Sequence, residues 1–248
     1  LVSDVTHTIT SGEDSANQIN LTLSLPSGSY DARARVTDTV GTGLTSAWSN
    51  TVVNFTITVV TTTTLDPANK GASQTLSNGN LTTTGNGTNG IARSIASHTT
   101  GKYYYEVTIG SVSNLLVGFV NAGESLNAYV GGSVNSLGAA NGGGWLGDAG
   151  GTTTSATLVN GHVYGLAIDL GAMKAWILDI TSGTGQWNAN ATANPATGVN
   201  GCTYGAFGLG FTPPIYAAGT AAANGNNMTF NFGATAYTGT PPSGFGNW

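Results

Sequence analysis

The sequence predicts an all-β chain built as a two-layer sandwich. Three observations carry that reading. Two-residue alternation of apolar and polar residues recurs along the chain, and no window repeats apolar residues at three and four over three turns. Turn formers punctuate it throughout, with 38 glycines and 7 prolines. The segment GKYYYEVTIG, residues 101–110, sets Tyr103, Tyr105, Val107 and Ile109 on one strand face and Tyr104, Glu106 and Thr108 on the other. A tyrosine on each face needs cover on each face, so this strand belongs inside a layered structure rather than in a solvent-washed hairpin.

In chain order the strand candidates are INLTLSL (19–25), YDARARV (30–36), TVVNFTITVV (51–60), KYYYEVTI (102–109) and LLVGFV (115–120). VYGLAIDL (163–170), KAWILDI (174–180), YGAFGLGF (204–211) and NMTFNFG (227–233) follow. Many short strands between turn residues are the pattern of a sandwich or barrel. The sharpest boundary is VVTTTTLDP, 59–67, where a strand runs into threonines and then Asp-Pro. This divides the chain into 1–60, a threonine-rich linker at 61–65, and 66–248.

The 248 residues are 40% hydrophobic, enough for one large core or two modest ones. Only 7% are charged, against about 25% in an average chain, so solubility rests on Thr, Ser, Asn and backbone. That composition suits an extracellular or particle-surface protein better than a cytosolic enzyme. The net charge is −5, and the six cations, Arg33, Arg35, Lys70, Arg93, Lys102 and Lys174, are scattered along the sequence. No cationic footprint for a phosphate backbone results, so nucleic acid is not an expected partner. No apolar run approaches 18 residues and no charged leader opens the chain, so neither membrane insertion nor a signal peptide is expected. Because it begins at Leu1, the chain is expected to be part of something longer. Cys202 stands alone and reads as a small buried side chain.

Two family resemblances sharpen these expectations. YDARARVTDTVGTGLTSAWSN resembles the last two strands of a fibronectin type III or Ig-like domain. Tyr30, Ala32, Ala34 and Val36 would alternate inward, and Trp48-Ser49-Asn50 would open the final strand. The first part is therefore expected to be a partial fibronectin-like β segment.

From about residue 66 onward, the chain resembles the SPRY (B30.2-like) family, a bent antiparallel β-sandwich of concanavalin-like topology. Gly101, Lys102, Tyr103, Tyr105 and Glu106 fall on that family's Gly-Lys-aromatic-Tyr-aromatic-Glu strand. Gly118 and Phe119 fall on the next, Gly165, Ile168, Asp169 and Leu170 on its G-x-x-hydrophobic-D-hydrophobic strand, and Asn231, Phe232 and Gly233 on its closing NFG. The long insertion WNANATANPATGVNG (187–201) and the closing TPPSGFGNW resemble versions in tailed-phage and bacterial particle-surface proteins. The resemblance implies buried Tyr103 and Tyr105, with Glu106 on the opposite face.

Motifs for chemistry are sparse. GNGTNG (85–90) matches G-x-G-x-x-G, but no amphipathic helix follows it, so it reads as a turn. His7, His98 and His162 lack ligand spacing, and Asp148 in GGGWLGDAGG has no second acid nearby in sequence, so no metal or cofactor is expected. Glycoside hydrolysis requires two carboxylates about 5–9.5 Å apart. Glu106 and Asp169 hold strand positions, Asp179 is the one exposed candidate, and no G-x-S-x-G elbow exists. Catalysis is not expected. N-x-[ST] triplets such as those at Asn86 and Asn190 arise by chance in so Asn- and Thr-rich a chain.

Recognition remains. Tyr129, Asn135, Asn141, Trp145 and Asp148 in one loop region, with Trp187, Asn188 and Asn190 in another, combine aromatic faces with amides and a carboxylate. Rings stacking on apolar sugar faces while amides bond hydroxyls would make a binding site. The competing reading is that Trp145 and Trp187 plug the sandwich ends. The expected function is non-enzymatic surface binding in a phage tail, fibre or other virion protein, with a cell-surface glycan or protein as ligand. Other virion or appendage subunits, further copies of this chain included, complete the expected partners. The alternatives are a structural or decoration role, or an accessory carbohydrate-binding module of a secreted bacterial enzyme.

Overall fold

The computed structural model describes residues 28–32, 53–57, 63–147, 154–203 and 212–248. The chain divides into two compact units, Leu1–Thr61 and Thr62–Trp248. In the first, β1 (Gly28–Ala32) pairs antiparallel with β2 (Val53–Ile57), Gly28 opposite Ile57. The expected strands at 19–25 and 204–211 lie outside the described residues, as do 33–36, 51–52 and 58–60.

The second unit is built from two sheets. Among the described residues one sheet runs β10 (Trp145–Leu146), β9 (Ser136–Ala140), β8 (Leu115–Asn121), β14 (Ile215–Ala221), β6 (Ala92–His98) and β3 (Leu65–Lys70). The other runs β13 (Cys202–Thr203), β12 (Lys174–Asp179), β11 (Val163–Asp169), β7 (Lys102–Ser111), β15 (Asn227–Asn231), β5 (Thr82–Gly85) and β4 (Gln74–Ser77). A short β16 (Gly246–Asn247) adds to β7 in parallel; the remaining pairings in both sheets are antiparallel. An all-β antiparallel sandwich is thus the observed architecture. Its ladder starts inside the expected linker: Thr63 Oγ1 accepts from Ala96 N at 2.9 Å, and Thr64 O accepts from Ile95 N at 2.8 Å. The threonines at 63 and 64 contribute backbone and hydroxyl partners to an edge of the sheet.

The core lies between the sheets. Tyr105, Val107 and Ile109 from β7 meet Leu115, Val117 and Phe119 from β8, with Phe230, Phe232 and Trp248 alongside. The Tyr105 ring centroid is 5.7–5.9 Å from those of Phe119, Phe230, Phe232 and Trp248, and its hydroxyl donates to Gly118 O at 2.7 Å. Such aromatic pairs contribute about 0.5–1.5 kcal/mol each beyond burial. Tyr103 shares that face but is only partly buried, stacking on His98 at 3.5 Å. The strand β14, IYAAGTA, was not foreseen because its small residues mimic a loop. It sits between β8 and β6, where a Cβ on Gly219 would lie 2.5 Å from Met228 Sδ, so bulk is excluded by the facing sheet.

Both outer faces are also covered. Over the first sheet folds the β8–β9 loop, whose Val130 packs with Ile91, Leu116, Val120 and Ala218. Its backbone is pinned by Val130 N to Thr220 Oγ1 at 3.1 Å and by Ile91 N to Leu126 O at 2.9 Å. Over the second sheet fold residues 187–200 and 234–245, covering Tyr104 and Trp176. Gly165 makes room here: a Cβ on it would meet the Tyr104 hydroxyl at 2.6 Å.

Two predictions follow from this packing. Gly165→Ala is expected to lower stability by about 1–3 kcal/mol through overpacking, whereas Gly142→Ala, with nothing within 4 Å, stays near neutral. Urea midpoints of the two variants would check this. Burial lowers the His98 pKa below its ordinary 6.5, so the unfolded chain takes up this proton more readily. Its stabilising contribution is complete above pH 6.5 and declines as pH falls toward the lowered folded value. His98→Phe, which keeps a ring on Tyr103, should flatten the wild-type loss of thermal stability in that window; identical pH profiles for the two proteins would rule it out.

Candidate functional site

Among the described residues, the outer face of the second sheet gathers a cluster of aromatic and charged side chains. Strand register sets Tyr104, Ala167 and Trp176 in one row across β7, β11 and β12, with Lys102, Asp169 and Lys174 in the neighbouring row. The covering segments add three half-buried rings. Trp187 meets Tyr104 edge-on at 6.4 Å, Tyr237 meets it at 4.9 Å, and Phe245 meets Trp176 at 6.4 Å. Lys102 Nζ stands 5.6 Å from the Phe245 ring centre. The result is an aromatic patch with a fully buried floor of Tyr104 and Trp176 and a rim of Trp187, Tyr237 and Phe245.

Hydrogen bonds hold this patch rigid. Glu106 is 2% exposed. Its carboxylate accepts from the Tyr104 hydroxyl at 2.8 Å, Thr238 N at 2.8 Å and Gly239 N at 2.7 Å. The Tyr237 hydroxyl donates to Tyr104 O at 3.1 Å. Burial first, and then the Glu106 charge, pushes both tyrosines well above the usual phenol range, so they remain protonated donors. At the other end Asp169 pairs with Lys102 at 3.1 Å and accepts from Ala172 N at 2.9 Å. Burial pushes the Asp169 pKa up, but the Ala172 N–H, the Lys102 ammonium and the Gly171 N–H together hold it below the ordinary 3.8.

The predicted site residues do not converge here as a group. Trp145 and Asn188 are both fully buried and bond one another, the indole N–H donating to Asn188 Oδ1 at 3.0 Å. The same oxygen accepts from Ile177 N at 3.0 Å, and the Asn188 amide donates to Ala175 O and Asn200 O at 3.3 and 3.1 Å. Its side chain thus pairs with β12 as a neighbouring strand's peptide would, and all four amide valences are filled. The backbone there is left-handed, φ 51°, which asparagine tolerates. These two residues have no face for a ligand, which corrects their placement in a recognition loop.

Asn135 braces the β8–β9 loop through Asn121 Nδ2 at 3.0 Å and Gly123 O at 3.4 Å. Tyr129, on that same loop, is 38% exposed. Both belong to the other sheet's cover, away from the aromatic patch. Asp148 lies outside the described residues. Among the described residues of the predicted set, Trp187 alone reaches the patch. Asp179, expected to be exposed, is held by His162 Nδ1 at 2.9 Å and the Tyr164 hydroxyl at 3.3 Å. Among the described residues no three His, Cys, Asp or Glu side chains gather as metal ligands, and no helix is long and apolar enough to cross a membrane.

Tyr237, Phe245, Lys102 and Lys174 were not foreseen as site residues. Lys102 and Lys174 come into one row only through strand register, and Tyr237 and Phe245 arrive on a closing segment whose sequence, TAYTGTPPSGFGNW, reads as a tail.

No family model matches the sequence, and neither does any curated protein. Solved structures do resemble it. The SPRY domain of human HERC1 matches with a TM-score of 0.52 at 14% identity, over 69% of this chain and 99% of that one. The sandwich is SPRY-like in fold. The TRIM65 PSpry domain agrees, with a TM-score of 0.50 at 13% identity, over 68% of this chain and 92% of its own. In the SPRY-like sandwich the signature residues have physical roles: Tyr105 is core, Glu106 ties down the C-terminal segment, Gly165 admits the Tyr104 ring, and Asp169 pairs with Lys102.

Asn188→Ala orphans the Trp145 indole, Ile177 N and two carbonyls, at about 1–3 kcal/mol per buried group left unpaired. It should therefore destabilise the sandwich more than Trp187→Ala, which removes a half-buried ring; comparison of the two urea midpoints decides the order.

Proposed function

We propose that the SPRY-like sandwich is a non-enzymatic binding domain that recognises a glycan on a cell surface. The supporting observation is the rim of Trp187, Tyr237 and Phe245, three rings held on a rigid floor beside the Asn- and Thr-rich excursion 187–200. Aromatic faces take up the apolar faces of sugars, and the amides and hydroxyls alongside take up their hydroxyl groups. In this reading the chain is part of a larger phage tail, fibre or other virion protein, displayed at the particle surface. The first unit, with its antiparallel β1–β2 pair, is the end of a fibronectin-like domain leading to the sandwich. Tyr129, exposed on the braced loop of the other sheet, favours a second contact with another subunit of the same particle.

The test is a glycan-array and host-cell binding screen of the whole chain, repeated with Trp187→Ala and Tyr237→Ala. Each substitution is expected to weaken binding at least about tenfold, as an interfacial hot spot does, with the far-UV spectrum and urea midpoint showing a folded protein. Binding indifferent to both substitutions would remove the patch from the site.

A further inference from the structure

The aromatic patch has one charged end, and its sign points to the chemistry of the ligand. Lys102, Asp169 and Lys174 lie opposite one another on β7, β11 and β12, so a lysine stands on either side of one aspartate in the ladder. Adjacent strands stand about 4.7–4.9 Å apart, which sets the two lysine strands roughly 10 Å from each other. Asp169 is partly spoken for: its Oδ1 turns to Ala172 N at 2.9 Å while its Oδ2 takes Lys102 at 3.1 Å. Lys174 donates to Gly198 O at 2.6 Å. An ammonium has three donors, so each lysine keeps donors beyond these bonds. The Lys102 side chain is 37% exposed against 9% for Asp169. Solvent at this end therefore meets positive charge, in a chain whose formal net charge is −5.

The opposite end of the same face differs. There the charged group is Glu106, 2% exposed and closed over by Thr238 and Gly239. Phe245 joins the lysine row to the patch, since its ring meets both Lys102 and Trp176. A sugar ring lying along Phe245 would hold a carboxylate substituent toward the ammonium groups.

We propose that the ligand is an acidic glycan, its sugar ring seated on the aromatic rim and its carboxylate received by Lys102 and Lys174. This rests on the glycan reading above and adds the charge to it. Uronic acids and sialic acids share the required chemistry, a carboxylate on a pyranose ring.

The experiment measures binding of the full chain to four probes by calorimetry: tetragalacturonate, its methyl ester, sialyllactose and lactose. The ester and lactose keep the sugar and remove the charge. At least one acid is expected to bind about tenfold or more tightly than its uncharged counterpart, and to weaken as salt rises from about 50 to 500 mM. Which acid binds separates the uronic from the sialic source. Lys102→Gln and Lys174→Gln should each reduce acid binding several-fold, with the uncharged probes unmoved. The salt dependence of the unaltered protein supplies the same information should either variant fold poorly. Equal binding of acid and uncharged probes, still dependent on Trp187, overturns the charge assignment and leaves the glycan reading standing. Binding of none of the four at millimolar concentration also overturns it, and the array screen with Trp187→Ala then decides separately whether the glycan reading survives.

Discussion

The sandwich depends on the middle of β7, Tyr104 to Val107, being buried on both faces. Tyr105, Val107 and Ile109 fill the core, and Tyr104 and Glu106, pointing the other way, are 1% and 2% exposed. Burying a carboxylate costs several kcal/mol unless donors replace the lost water, and here a phenol and two backbone N–H groups do so. Those N–H groups belong to Thr238 and Gly239, so satisfying one acid requires the C-terminal segment to lie across the sheet. Once there, the segment places Tyr237 on Tyr104, pairs Gly246 and Asn247 with the start of β7, and drops Trp248 into the core, its indole N–H donating to Ser94 Oγ at 3.0 Å. One polar group on one strand thus organises both faces of that strand.

The same constraint explains where the side chains of the candidate site are. A sheet face that must be buried, but has no third layer in the fold, is covered by excursions from neighbouring strands. Excursions reach solvent on their far side. The rings that shelter Tyr104 and Trp176 are therefore half-buried by construction, rigid from below and open above. Cover and candidate site are two sides of the same residues.

Much of this was legible in the sequence wherever large apolar residues alternate. β7, β8, β11, β12 and β15 fall within one or two residues of their expected bounds, and the two-faced burial of the tyrosine run follows from strand geometry alone. What escaped includes β9 and β14, where runs of Ala, Ser and Gly blur the alternation that would reveal them, and β3, β4, β5, β6, β10, β13 and β16, most of them short or without a clear alternation of large apolar residues. The site was half legible. Trp187 and Asn188 are adjacent in sequence, yet one faces outward and the other bridges the sheets, because the left-handed backbone at 188 turns the chain between them. That Lys102 and Lys174 share one row with Asp169 depends on the register of three strands and leaves no trace in local sequence.

Asn188 anchors a long excursion with a single amide. By pairing with Ala175 and Ile177 it closes part of the β12 edge, an edge that would otherwise invite another strand. Beyond that anchor Ala193 packs on the Tyr104–Trp176 floor and the carbonyls of Gly198 and Val199 take Lys174 and the Trp176 indole, while most of the remaining residues of 189–197 face solvent, Asn190 bonding Thr192. The entropy of closing a loop grows only with the logarithm of its length, about 0.6 kcal/mol per doubling. The exposed stretches between these contacts can therefore lengthen, shorten or change their composition while the sheets stay as they are. In that sense the sandwich is a mount with an interchangeable tip, and a lineage facing a changing surface could vary the tip without disturbing the mount.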